Sequence, residues 1–337
     1  MDPHQTCDTS CRRVLSIDGG GLLSTYPASF LAAIEDKVGK PLGQYFDLIA
    51  GTSGGGIIAL GLGLGLSAKD ILSLYVEKGP AIFGQGNGAA TDFVMQRVRG
   101  LRRLFRPKYG SDGLRRALEE VLGERRLGEA GTRLMIPAWN PTTRSLYVYK
   151  TAHLPRLQTD YKDKAVDVAM STAAAPTYFR EHITTNDVGL VDGGIWANNP
   201  IGAAVIEAVA VLGWPADRLQ ILSLGCLDET YRIPRAAGIG TLGARAIKLL
   251  MDGQSKSALG TAMLFTGHPH TRTAVHRIDQ TVPENVYRMD DADVIRELKG
   301  LGFSTAREKF PLLEMTFFDE PAAPFVPCHV LEDRRAA

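Results

Sequence analysis

Residues 46–57 read Phe-Asp-Leu-Ile-Ala-Gly-Thr-Ser-Gly-Gly-Gly-Ile. The run from Phe46 to Ala50 has the short apolar character of a buried strand, Gly51 stops it, and from Gly54 onward the pattern resumes as an apolar helix. Ser53 therefore falls on a sharp strand-to-helix turn, where its hydroxyl is presented at the C-terminal edge of a sheet. Gly51, Gly54 and Gly55 are the small residues such a turn needs, because the chain bends tightly and a substrate must come close. The helix behind it aims its first amides and the positive end of its dipole at the same point, which favours developing negative charge. Taken alone, the pentapeptide is equally compatible with a glycine-rich turn of no catalytic role.

Working outward, the same alternation recurs. Residues 13–18 (RVLSID) form an apolar run that stops at Gly19-Gly20-Gly21, and 25–38 has helical spacing in Phe30, Leu31, Ile34 and Val38, ending before Gly39. Ser67 is placed to cap a further helix, and 111–122 reads as an amphipathic helix closed by Gly123. Residues 134–139 and 145–149 read as adjacent strands, 164–174 as a helix, and 188–192 as a short strand before Gly193-Gly194. Asn199 is the expected N-cap and Pro200 the first residue of a helix to Leu212. Residues 219–224 are the last clear buried strand; beyond 230 the spacing predicts helices near 241–252, 292–299 and 304–315 and a proline-rich tail at 321–327. Alternating strands and helices indicate an α/β fold with a mostly parallel sheet.

Composition narrows the classes of function. The chain has 337 residues, 45% hydrophobic and 22% charged, with a formal net charge of +1, so overall charge does not point to a nucleic-acid polymer as partner. Residues 1–13 carry Asp2, Asp8, Arg12 and Arg13 rather than an apolar leader, and no run approaches the roughly 20 apolar residues of a spanning helix. Cys7, Cys11, Cys226 and Cys328 are scattered, which suits a reducing compartment and no disulfide framework. Cys7 and Cys11 lack a matching second pair for a metal, and no oxygen-rich calcium loop is evident. Neither a metal nor an organic cofactor is expected. The cluster Asp290, Asp291 and Asp293 is expected to cap the helix that follows.

Two more motifs carry chemistry. Asp18-Gly19-Gly20-Gly21 leaves backbone amides unshielded after a strand, a shape that cradles an anion. A nucleotide loop of the Walker kind needs Lys-Ser/Thr after its last glycine, and Leu22-Leu23 stands there instead. Asp192-Gly193-Gly194 puts a carboxylate at a strand end, within reach of a neighbouring turn; a plain turn aspartate has the same signature. An aspartate with an ordinary pKa near ~3.9 is a poor base at neutral pH, so a catalytic role requires burial to raise it.

The three motifs in this order, SIDGGG, GTSGG and DGGIWANNP, resemble the patatin-like phospholipase family, as does the segment STAAAPTYF at 171–179. The resemblance runs from about residue 13 to 225. It implies a three-layer sandwich with helices on both faces of the sheet, Ser53 as nucleophile, Asp192 as its base, the amides of Gly19, Gly20 and Gly21 as the oxyanion hole, and Gly193 and Gly194 as supporting residues. The expected reaction is hydrolysis of fatty-acyl esters of membrane phospholipids through an acyl-enzyme. One departure stands out: the family usually carries Arg or Lys two positions after the third glycine, and this chain has Leu23. The expected organisation is a flexible arm at 1–12, a catalytic core at 13–230 and a helical C-terminal extension at 231–337.

The whole chain is also similar to bacterial members that act as membrane-degrading effectors in cyclic-oligonucleotide antiphage signalling. That similarity implies a cyclic dinucleotide activator, a cytoplasmic protein and peripheral action at the inner membrane. The basic stretch with Arg97, Arg99, Arg102 and Arg103, continued by Arg106 and Lys108, reads as a solvated face, as a contact for anionic headgroups, or as a contact for the activator. Two rivals stay open. One is a Ser-Asp-His triad completed by His268, His270 or His276; the other is an inactive module whose glycine loops bind an anion.

Overall fold

The computed structural model describes residues 11–83, 107–230, 244–267, 270, 272–284 and 286–332. Arg97, Arg99, Arg102, Arg103 and Arg106 lie outside the described residues, as does the arm before residue 11. The N-terminal half gives β1 (Arg12–Ile17), α1 (Thr25–Val38), β2 (Leu48–Gly51), α2 (Gly54–Gly63), α3 (Ala68–Ser73) and α4 (Gly79–Phe83). Then follow α5 (Asp112–Leu122), β3 (Arg133–Asn140), β4 (Ser145–Lys150), α6 (Ala165–Thr172), β5 (His182–Ile183), β6 (Gly189–Asp192), α7 (Gly194–Ala197), α8 (Ile201–Ile206) and β7 (Leu219–Leu224). The C-terminal part adds β8 (Asp228–Thr230), α9 (Ala244–Thr266), β9 (Val275–Ile278), β10 (Thr281–Pro283) and α10 (Ile295–Leu313).

The main sheet runs β5-β6-β3-β2-β1-β7-β9, with β4 also paired to β3. β1, β2, β3, β7 and β9 are parallel to their neighbours in that series; β4, β5 and β6 join antiparallel. Successive residues of a strand face opposite sides, and the core divides accordingly. Leu15, Ile17, Ile49, Leu134 and Ile136 pack under α1, α2 and α6. Val14, Leu48, Ala50, Met135 and Ile221 pack under α8 and Ala262 of α9. The result is three layers, helix on sheet on helix.

Boundaries follow local chemistry. Gly39, at φ 70°, closes α1 by donating its amide to Glu35, and the Ser67 hydroxyl accepts the Asp70 amide at the start of α3. Asn199 accepts the amide of Ile201 at 3.1 Å, although the helix begins at Ile201, so the residue before it is Pro200 rather than Asn199 as expected. That helix does not run regularly to Leu212: it widens into a π-turn over Glu207–Val211. Glu207 is buried there, accepting from Lys150 at 2.5 Å and bonded to the His153 ring at 2.8 Å.

Three expectations are corrected. The last strand of the sheet is β9, which pairs with β7, so the region beyond 230 also builds the sheet. Its Val-His-Arg-Ile sequence alternates too weakly to register as buried. The predicted helices 292–299 and 304–315 are one helix, α10, held to α1 by the Ser29 hydroxyl donating to the Lys299 carbonyl at 2.6 Å. Asp290 does not cap it; its side chain is buried against Lys108 and Tyr109, and the residue before the helix is Val294. Among the described residues, no helix is long and apolar enough to cross a membrane, and no cluster of metal-ligating side chains occurs.

Candidate active site

Strand order explains how Ser53 and Asp192 come together. β2 pairs with the first half of β3, at Arg133–Met135. β6 pairs with its last half, at Ala138 and Trp139, and runs the other way. The two strands therefore point their C-terminal ends at each other. β2 ends at Gly51, and Ser53 follows on the turn; β6 ends at Asp192.

Ser53 has φ 55° and ψ −126°, a conformation L-residues avoid, at a cost of about 1–3 kcal/mol. Four neighbours hold the turn. The Ser53 amide donates to the Thr172 hydroxyl at 3.0 Å, and that hydroxyl donates to the Pro137 carbonyl at 2.6 Å. The Thr52 hydroxyl donates to the Ala197 carbonyl at 2.6 Å. The Tyr75 hydroxyl donates to the Gly54 carbonyl at 2.6 Å. The Ser53 side chain is not used as a helix cap, which leaves it for Asp192.

Asp192 is 5% exposed and Ser53 8%. Burial pushes the carboxyl of Asp192 up to about 6, even though the neighbouring Ser53 side chain and the Gly194 amide, which donates to it, pull the other way. The Gly194 bond measures 2.7 Å. A carboxylate with a pKa near 6 is ionised at neutral pH and accepts a proton far more readily than a free aspartate. Burial, Ser53 and Gly194 are the causes of that shift; His276, on β9, packs edge-on against Phe317 at 5.2 Å.

The glycine loop lies alongside. The Gly19 amide donates to the Asn198 carbonyl at 2.9 Å, so in this arrangement it is not free for an oxyanion. The amides of Gly20 and Gly21 meet no backbone acceptor among the described residues. A side chain on Gly20 would strike the Cys226 sulfur, and one on Gly19 would come within 2.6 Å of the Asn198 side-chain oxygen and 3.2 Å of Ser53 Cβ. The loop is thus packed against the turn that carries the serine.

Asp18, at the foot of the loop, is buried and pushed up to about 6 by that burial, against the pull of Arg277. Arg277 donates to its two oxygens at 3.0 and 2.6 Å, and to Asp279 at 2.6 Å. A positive charge therefore stands by the loop although Leu23 replaces the usual basic residue. It arrives from β9, far away in sequence. Tyr75 and Arg277 carried no motif signal; Thr172 lay inside the quoted STAAAPTYF segment, but nothing there showed that its hydroxyl would hold the Ser53 amide. Asn198 was inside a quoted motif, yet nothing in the sequence showed that its carbonyl would take the Gly19 amide.

Comparison with known proteins places this architecture. The family described as "Patatin-like phospholipase" matches residues 15–205. A protein of Pseudomonas aeruginosa (strain BWHPSA011 / Pa011) named cGAMP-activated phospholipase is 31% identical, over 86% of this chain and 81% of its own length. A Vibrio cholerae protein of the same name is 31% identical, over 93% of this chain and 96% of its own. Among solved structures, VipD from Legionella pneumophila aligns with 89% of this chain and 67% of its own at 12% identity and a TM-score of 0.43. With the family match covering more than half the chain and both cGAMP-activated relatives aligned along most of it, the chain belongs to the patatin-like phospholipase family.

Proposed function

We propose that the protein hydrolyses a fatty-acyl ester of a membrane phospholipid through a Ser53–Asp192 dyad, and that a cyclic dinucleotide of the cGAMP type switches the reaction on. The observation that carries the catalytic part is the buried Asp192 carboxylate, near pKa 6, with the buried Ser53 side chain among the groups that act on it. The activator part is supported by the names of the Pseudomonas and Vibrio relatives.

In this reading Ser53 Oγ attacks the ester carbonyl as its proton passes to Asp192. The negative oxygen that forms is met by the amides of Gly20 and Gly21, donors of a kind whose single loss typically costs about 10²–10³ in rate. The tetrahedral species collapses, Asp192 returns the proton to the departing alcohol, and a lysophospholipid leaves. Water then attacks the acyl-serine, again giving its proton to Asp192, and the fatty acid is released with Ser53 restored. Each turnover consumes one water and needs no cofactor. The negative end of the reaction is balanced by neighbouring dipoles: the free loop amides and the first turn of α2.

The test is product analysis of a defined phospholipid by mass spectrometry, with and without cGAMP. Wild type should release fatty acid and lysolipid, faster with cGAMP; Ser53→Ala should lose at least about 10³ of that rate. Equal turnover by wild type and Ser53→Ala would return the protein to the class of anion-binding modules. Loss of turnover in His276→Ala but not in Asp192→Asn would favour the triad.

A further inference from the structure

Outside the dyad, one acidic side chain is buried against the scaffold of the site. Asp290 is 4% exposed and forms an ion pair with Lys108; the Tyr109 hydroxyl donates to it at 2.9 Å. Arg288 Nε lies 3.9 Å from its other oxygen. The residue before it, Met289, uses its main chain on the glycine loop. Its carbonyl accepts the Leu22 amide at 2.9 Å and stands 2.7 Å from where a Cβ on Gly21 would be. Residues 288–290 are therefore a strap lying on the loop, fastened at its far end by Lys108.

Lys108 and Tyr109 are also tied to the other half of the site. Their amides donate to the carbonyls of Thr177 and Tyr178 at 2.9 and 2.8 Å. That segment runs back to Ala174, whose carbonyl accepts the Asp192 amide at 3.0 Å. Lys108 is thus the joint between the strap on the glycine loop and the segment that holds the carboxylate strand.

The same Lys108 lines a surface cavity of about 400 Å³ with Tyr109, Ser111, Asp112 and Arg180. This is within the range of small-molecule sites. Arg180 is exposed, and no acidic partner for it occurs among the described residues. Two cations suit an anion; the Tyr109 ring beneath Lys108 is itself buried against Phe83, Tyr178 and Phe179. The Asp112 carboxylate limits the charge such a ligand can bring.

We propose that this cavity binds a phosphodiester of the cyclic dinucleotide activator, with Arg180 and Lys108 as its contacts, and that the ligand acts on the glycine loop by competing with Asp290 for Lys108. The inference rests on the activator reading above. Competition implies reciprocity: a ligand that weakens the strap must bind more tightly when the strap is already weakened. A phosphodiester is also headgroup chemistry, so lipid and nucleotide must be tested apart.

The experiment titrates the purified full chain with cGAMP by calorimetry and, separately, with phosphatidylglycerol vesicles by sedimentation. Arg180→Ala should weaken cGAMP binding at least tenfold with an unchanged unfolding temperature, since its side chain supports nothing in the fold. Lys108→Met should weaken it similarly. Asp290→Asn, which keeps the Tyr109 bond but frees Lys108, should tighten it severalfold. Should Lys108→Met fail to fold, the opposite shifts in Arg180→Ala and Asp290→Asn still decide. Wild-type affinity in Arg180→Ala and Asp290→Asn overturns the site. So does a loss confined to vesicle binding, which would assign the cavity to headgroups. Absence of cGAMP binding to wild type would instead remove the activator reading itself.

Discussion

Asp192 occupies a place that a carboxylate does not favour. Its folded pKa of about 6 lies above the ordinary 3.8 because burial strips water from the charge faster than Ser53 and Gly194 replace it. The folded state therefore holds this proton more tightly than the unfolded chain does. The sign follows: the group favours folding most at low pH and costs stability as pH rises through 4 to 6, by about 3 kcal/mol once both states are ionised. Asp192→Asn should accordingly raise the thermal unfolding midpoint at pH 7 by a few degrees while ester hydrolysis falls at least about a thousandfold. Differential scanning calorimetry and a fluorogenic ester assay check the two halves. In wild type, kcat/KM should fall about tenfold per pH unit below 6, as the proposed base becomes protonated. Ser53 and Asp192 were legible in the sequence because each stands at the end of an apolar run bounded by glycines. Thr172, Asn198 and Arg277 were not, because their roles come from neighbours that only the folded chain supplies.

Among the elements, the glycine loop between β1 and α1 is the most constrained. Gly20 has no room for a methyl group because the Cys226 sulfur, at the end of β7, fills the space. Cys226 is itself buried and lies 3.6 Å from the Ser24 hydroxyl and from the Asp18 carbonyl. Gly20→Ala should lower stability by about 1–3 kcal/mol, the usual effect of overpacking, and reduce turnover. Adding Cys226→Ala should recover part of both, because it removes the atom that is struck. Urea denaturation and the ester assay on the double variant check this; no recovery would mean that loop conformation, not the collision, sets the cost. At this scale the longer strands and helices up to 224 could be read from periodicity, since each buries one face or both, while the short α4, β5 and α7 could not. The π-turn at 207–211 could not, because it follows from one buried glutamate meeting Lys150 and His153.

For the molecule as a whole, the C-terminal third is part of the site's foundation. β9 extends the sheet beside β7, and its Arg277 is the partner of the buried Asp18. Breaking a buried pair by removing one member usually costs about 3–5 kcal/mol, because the remaining charge is stranded. Arg277→Met should therefore lower stability by about 3 kcal/mol and slow hydrolysis, although Arg277 touches neither Ser53 nor Asp192. Chemical denaturation gives the first number and steady-state kinetics the second. The layered α/β fold was readable from alternation alone. The extent of the sheet was not: β9 is short, lies at an edge and carries a charged residue toward the loop, so nothing in its hydropathy marks it as a strand.

β3 serves as a ruler for the chemistry. Because β2 and β6 approach from opposite directions along it, the gap between the serine turn and the carboxylate is measured out by the few residues of β3 between Met135 and Ala138. Strand residues advance about 3.3 Å each, so lengthening that interval by two would draw the pair apart by nearly 7 Å with neither side chain altered. The spacing of the two proposed reacting groups is thus written in a strand that contributes no atom to either.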